Sequence, residues 1–371
     1  MNSNFLNINK EDTLNILHQL QDPENPFKFY PASNGLTLAG KNLTLGYSCF
    51  ALKTYMIIGE WNNLDSTFRK EWISYINSFQ VSYSYFPKNS FIDHGYLKNF
   101  YKSKNKRLIK DVAKTVIKKS KYENKKTESL RHIQSETKQA ISSLYQVGST
   151  NEKFYLDFPR KEHDIKTYLD SLDWKYPWQA GAQFASLCVF ISSQIDDSNH
   201  EKNDLTEYVY KYLDSLINRE TGAYFSGIIP NENEVINGAM KVITGLDWIN
   251  KQIHEPEKLI DFCLGSNLSS EGCDLVDLVY VLYMSTKNTN HRKNEVIDFL
   301  EIVLEIISRN KYKNSGYSYY YNKTQMYYYG LKINIGKNLP DLHGTLLLNW
   351  AIAMIAEVCE FENNTYKTLM P

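Results

Sequence analysis

No long apolar run occurs in this chain of 371 residues, and no stretch approaches the ~18 consecutive apolar residues that mark a membrane span. Net charge is missing as well. The 42 Lys and Arg balance the 42 Asp and Glu, so bulk electrostatics argue for no particular partner, and no nucleic acid is expected. Cysteine is scarce, at five, odd in number and without a CxxC pair, which speaks against a disulfide framework. Cys49, Cys188, Cys263, Cys273 and Cys359 fall mostly in apolar helical runs and read as reduced thiols of a cytoplasmic protein. Residues 1–10 are polar and Asn-rich, unlike a secretory signal. Proline (10) and glycine (17) are few and nowhere dense enough to form a linker, which favours a single domain over 1–371.

What the chain does have is aromatic residues, 14% of the total, with 28 Tyr. Many sit in a phrase that recurs three times: a helical run, then a turn with Gly or Phe, then an aromatic cluster. The copies are Trp72–Gln80 running into Tyr83, Tyr85, Phe86 and Phe91; Tyr208–Gly227; and Phe299–Arg309 running into Gly316–Tyr321. A recurring unit of this size implies a repeat architecture.

Helical periodicity dominates, and strand-like alternation is confined to short aromatic pieces at Tyr317–Tyr321 and Tyr327–Ile335. Amphipathic helices are expected over Asp12–Leu20, Ser66–Phe79, Lys106–Lys119, Asp164–Leu172, Leu205–Ile217, Pro256–Leu264 and Asn294–Arg309. Between them lie runs that are apolar or small on nearly every side: Leu43–Ile58, Glu128–Val147, Trp178–Gln194, Glu234–Asn250, Cys273–Thr286 and Asp341–Glu360. A helix apolar all round must be enclosed, whereas an amphipathic one lies at the surface. Their alternation predicts an all-α fold, an α/α toroid of about six hairpins with an inner and an outer ring; an open helical array is the alternative.

The stretch from Lys102 to Lys126 is dense in Lys and Arg against only Asp111 and Glu123. Within it, Lys106–Lys119 reads as a solvated outer helix or as one that lies on an anionic membrane surface.

In a ring of helices, chemistry is expected where inner helices begin. The last inner run opens Asp341-Leu342-His343-Gly344. Asp341 can serve as a helix N-cap; equally, His343 with Asp341 beside it offers an acid/base pair. The fifth opens with Cys273, Asp274 and Asp277, where two carboxylates entering an apolar run need a partner, a cavity or a cation. Cys273, Asp277 and His343 together offer a mixed ligand set for zinc, although no HExxH is present. Trp174, Trp178, Gln179 and Gln183 suit stacking plus hydrogen bonding to a small molecule. Asn237 and Lys241 share a face, and a lysine in an apolar run must find an anion or water. Arg131 and Glu136 put polar groups at the start of a further inner run, and Tyr280 lies on the face of Asp277. The segment Asp196–Glu201 matches a loose acidic pattern for magnesium diphosphate, but it falls in a loop and no partner motif faces it.

The turns resemble those of the terpenoid cyclase and protein prenyltransferase superfamily. Leu275–Tyr280 is similar to the segment carrying an Asp and a Cys zinc ligand in prenyltransferase β-subunits, with Val279 at the position of that Cys. Asp341–Thr345 resembles the segment with the His ligand, with His343 displaced by one position. The resemblance implies a toroid enzyme with an aromatic cavity that acts on an isoprenoid-like small molecule. His343, Asp277, Asp274 and Asp341 would then handle protons or cations, Lys241 and Arg131 an anionic group, and a divalent ion, zinc or magnesium, would be a possible cofactor. Six-hairpin glycosidases and polysaccharide lyases share the architecture, so carbohydrate chemistry is the competing expectation, and a non-catalytic scaffold a third.

Overall fold

The hydrophobic periodicity becomes helix almost everywhere it was expected. The computed structural model describes residues 3–83, 86–102, 125–196 and 200–371. The basic helix expected over 106–119, Tyr85 and residues 197–199 lie outside the described residues. Fourteen α-helices, two single-turn 3-10 helices (Trp61–Asn63 and Leu213–Ser215) and two small antiparallel hairpins make up the regular structure of the described residues, so the fold is all-α. The helices are α1 (Ser3–Leu20), α2 (Leu38–Asn42), α3 (Leu45–Ile57), α4 (Ser66–Asn77), α5 (His94–Lys102), α6 (Lys125–Gln146) and α7 (Glu162–Asp170). They continue with α8 (Pro177–Gln194), α9 (His200–Tyr212), α10 (Glu232–Trp248), α11 (Pro256–Leu264), α12 (Gly272–Thr286), α13 (Lys293–Arg309) and α14 (Leu342–Val358). The short helices α2 and α5 were not foreseen, and α1 begins earlier than its apolar pattern suggests. Among the described residues no helix is long and apolar enough to cross a membrane.

The helix boundaries have local causes. Asp65 accepts from the Thr67 and Phe68 amides and Asn231 from the Glu234 amide, each satisfying donors that the first turn leaves unpaired. Pro177 and Pro256 occupy first turns, where a missing N–H costs nothing.

The six enclosed runs are α3, α6, α8, α10, α12 and α14. Each packs on the next, and α14 packs back on α3, so the contacts close into a cycle. The amphipathic helices lie against them: α4 on α3 and α6, α9 on α8, α11 on α12, and α13 on α12 and α14. The tightest pair is α8 with α10. At Gly238 an added Cβ would sit 2.5 Å from Pro177 Cβ and 3.0 Å from its carbonyl carbon. Glycine is what lets these two backbones approach.

The recurring aromatic phrase has a structural reason. After α4, Gln80 pairs antiparallel with Phe91 in the hairpin β1 (Gln80–Val81) and β2 (Ser90–Phe91). After α9, Ile217 bridges to Tyr224, and after α13, Lys311 bridges to Tyr317. A fourth copy, not apparent in the sequence, follows α1, where Gln21 bridges to Phe29. In all four the aromatic partner is fully buried. The chain thus leaves an outer helix, folds back once, and drives one ring into the core before the next inner helix. Part of the aromatic excess is spent in this way; Phe29, for example, stacks on Trp72 with centroids 5.4 Å apart and planes at 14°.

Candidate functional site: a lysine-rich chamber

All six inner helices contribute to one cavity of about 520 Å³. A second hairpin, β3 (Tyr327–Tyr328) and β4 (Leu331–Lys332), reaches it from above the start of α3. Its turn residues, Tyr329 and Gly330, both have left-handed backbone, φ 40° and 75°. Two such residues are what a two-residue hairpin turn requires, and here a tyrosine accepts the strain and lines the cavity. Opposite, the segment after α14 runs under the helix C-termini. Lys367 N–H donates to the Ile57 carbonyl, Gln146 Nε2 to that of Met370 and Trp248 Nε1 to that of Pro371, at 2.7–2.8 Å. An open hollow of about 290 Å³, bordered by Tyr176, Gln179 and Glu234, shares Trp178 and Ala182 with the chamber and adjoins it along α8.

Rings of Phe50, Trp178, Tyr328, Tyr329 and Trp350 form much of the wall. Into this surroundings come three lysines on three helices: Lys53 from α3, Lys138 from α6 and Lys241 from α10. Lys53 Nζ donates to Ser142 Oγ at 2.8 Å, and burial lowers its pKa to about 8. Lys241 Nζ stands 3.8 Å from Asp277 Oδ1. For the Lys138 Nζ no hydrogen-bond or ion-pair partner is found among the described residues. Burial, and then the charges of Lys53 and Lys241, hold its pKa well below the ordinary lysine value.

Asp277 is the acidic residue on the chamber wall among the described residues. Its side chain is 2% exposed, and its Oδ2 has no hydrogen-bond partner. Burial raises its pKa to about 6 against the opposing pull of Lys241. His343 stacks on Phe50, centroids 4.7 Å apart and planes at 11°, with Tyr319 tilted on its flank at 5.1 Å. Burial, reinforced by Lys241, lowers its pKa to about 3, so the imidazole is neutral near pH 7, and its Nδ1 is unpartnered.

Several expected site residues take other roles. Asp341 is the N-cap of α14. Its carboxylate accepts from the amides of Gly344 (2.8 Å), Tyr319 (2.8 Å) and Gln325 (3.0 Å), and it does not orient the His343 ring. Asp274 lies outside the chamber, where Asn237 and Asn233 donate to its two oxygens at 2.9 and 3.0 Å and brace α10 against α12. Asn237 is thereby committed to that clamp. Trp174 is buried and donates to the Leu169 carbonyl, and Tyr280 is buried against Trp350 beside Asp247. Gln183 and Arg131 do not line the chamber, whereas Trp178, Lys241, Cys273, Asp277 and His343 do.

Glu136 lies behind the wall, where its Oε1 accepts from the Tyr328 hydroxyl. An added Cβ at Gly46 would collide with that hydroxyl and crowd Glu136 Oε1 at 3.2 Å, so the contact depends on glycine there.

The expected metal set does not assemble. Cys273, Asp277 and His343 share the chamber, but no group of three His, Cys, Asp or Glu side chains comes together to hold an ion among the described residues. Burial raises the Cys273 thiol to about 12.

Sequence reasoning missed Lys53, which lies in a run counted as apolar; Lys138 shares with Arg131 and Gln134 a polar face that could look into a cavity, and of these three Lys138 lines the chamber. The available signal was the one used for Lys241, a lysine inside an otherwise enclosed helix. No family model, curated protein or solved structure matches the chain.

Proposed function

We propose that this protein is an enzyme that binds an amphiphilic small molecule, with an anionic head and an apolar isoprenoid-like body, inside a ring that is an α/α toroid. The observation that carries the reading is the convergence of Lys53, Lys138 and Lys241, opposed by the Asp277 carboxylate, in a chamber walled by aromatic rings. One buried and two half-buried ammonium groups set among aromatic rings are costly without an anion to compensate them. A phosphate, diphosphate or carboxylate supplies that charge. Phe50, Trp178 and Trp350 suit the apolar body, and aromatic faces can also stabilise a cation that develops along it. The volume, about 520 Å³, is that of a small-molecule site. Asp277, titrating near neutrality, can hold or release a proton at the chamber wall.

Carbohydrate cleavage has less support. It calls for two carboxylates flanking the bond, and Asp277 has no second carboxylate across the chamber from it among the described residues.

Calorimetric titration with geranyl diphosphate and with geraniol tests the proposal. The diphosphate should bind the wild type, and Lys241→Met or Lys53→Met should each weaken it by about tenfold, roughly 1.4 kcal/mol. Geraniol should bind far more weakly. Equal affinity in the wild type and both variants, or no binding at all, would refute it.

A further inference from the structure

The three lysines are not equivalent. Lys53 has Ser142 as a hydrogen-bond acceptor, and Lys241 has Asp277. Lys138, which lines the same chamber from α6, has no such partner among the described residues. The charged and titratable groups that line the chamber with it are Lys53 on α3, Lys241 on α10, Cys273 and Asp277 on α12, His343 on α14, and Tyr328 and Tyr329 on the hairpin. The first two are cations whose charges act against its protonation, and the single acid among them, Asp277, is already engaged with Lys241. A lysine that is desolvated and set beside other cations is a way to obtain a neutral, nucleophilic amine at ordinary pH.

We infer that Lys138 is a covalent site: its amine condenses with an aldehyde or ketone group of an anionic ligand held in the chamber, forming an imine. This rests on the reading that the chamber is the binding site. The Lys138 nitrogen lone pair adds to the carbonyl carbon. A C–N bond forms while the C=O π pair moves to oxygen, which gains a proton as nitrogen loses one. The resulting carbinolamine then expels its hydroxyl as water, with a further proton delivered to that oxygen, and the C–O bond breaks. Amine, carbonyl compound and one proton thus give a protonated imine and water, with no oxidant or reductant required. Asp277 and the neutral His343 line the same chamber with unpartnered Oδ2 and Nδ1 atoms, and are the groups suited to move those protons. Lys53 and Lys241 are left to hold the anionic head.

Pyridoxal phosphate is a suitable probe, since it combines an aromatic ring, an aldehyde and a phosphate. The full chain is treated with limiting pyridoxal phosphate near neutral pH, reduced with borohydride, and mapped by peptide mass spectrometry. An ordinary exposed lysine is only about 0.1% neutral near pH 7.4, and each unit by which its pKa falls raises that share about tenfold. The reduced adduct should therefore form on Lys138 at least about tenfold faster than on the average exposed lysine. Geranyl diphosphate should slow it, and Lys138→Arg should abolish it. Labelling spread over exposed lysines with Lys138 no faster, or directed to Lys53 or Lys241, overturns the assignment. If geranyl diphosphate still binds in that case, the chamber reading stands and only the imine fails. If neither the adduct nor binding is seen, both fall.

Discussion

Replacing Asp277 by Asn should make the protein more stable, and by an amount that depends on pH. The carboxyl titrates at 3.8 in an unfolded chain and at about 6 in the fold, because burial disfavours its charge more than Lys241 favours it. A folded pKa raised above the unfolded one means that the folded state holds its proton longer. Stability is then present at low pH and lost as pH rises from the unfolded value through the folded one. Roughly two units correspond to about 3 kcal/mol, lost between about pH 4 and pH 6. The attraction of Lys241, 3.8 Å away, is already contained in that net figure. Asparagine is nearly isosteric and never ionises. The stability difference between Asp277→Asn and wild type should therefore grow by on the order of 3 kcal/mol across this window and level off above it. Urea unfolding of both proteins at a series of pH values measures it. The other buried carboxyls, Asp12, Asp22, Asp93, Glu136 and Asp341, are common to both proteins and drop out of the difference where they act independently. A gap that stays constant with pH, or that closes as pH rises, would refute the account of Asp277. The cost is of the kind that functional groups impose on a fold.

Two further outcomes follow from the packing. Asp341→Ala removes the acceptor of three buried backbone amides and the cap of α14, so it should cost about 3 kcal/mol or more in urea unfolding. Gly238→Ala gains up to ~1 kcal/mol of helix propensity, but its Cβ meets the rigid Pro177 ring at 2.5 Å. Overpacking of about 3 kcal/mol should win, with a net loss of roughly 2 kcal/mol and a lower thermal midpoint.

The parts of the candidate site that were legible in the sequence were those with a local cause. Asp341 reads as a cap because an Asp before a helical run accepts from that helix's own amides, and it does. Lys241, Asp277 and His343 were singled out as polar groups in enclosed helices, and all three face the chamber. Asp274 and Asn237 gave the same signal but found each other across a helix pair instead. Trp174 looked like a binding platform and is a core residue, since an aromatic ring beside a helix start has the same local pattern in either setting.

By itself the sequence determined most of the long helical segments, which of them have a polar face, and where the chain must turn, because periodicity, capping and Gly or Pro placement act within a few residues; the short helices α2 and α5 carry too few turns to show a period. Only the tertiary structure decided that α14 returns to α3, that Tyr329 caps a hairpin over the start of α3, and that Lys53, Lys138 and Lys241 meet. Hydrophobic periodicity tells that a face is covered, not by what. A lysine in an apolar helix has the same pattern whether it pairs inside a packed core or looks into a cavity. The cavity itself is a property of the side-chain volumes of six distant helices added together, and no local stretch of sequence contains that sum.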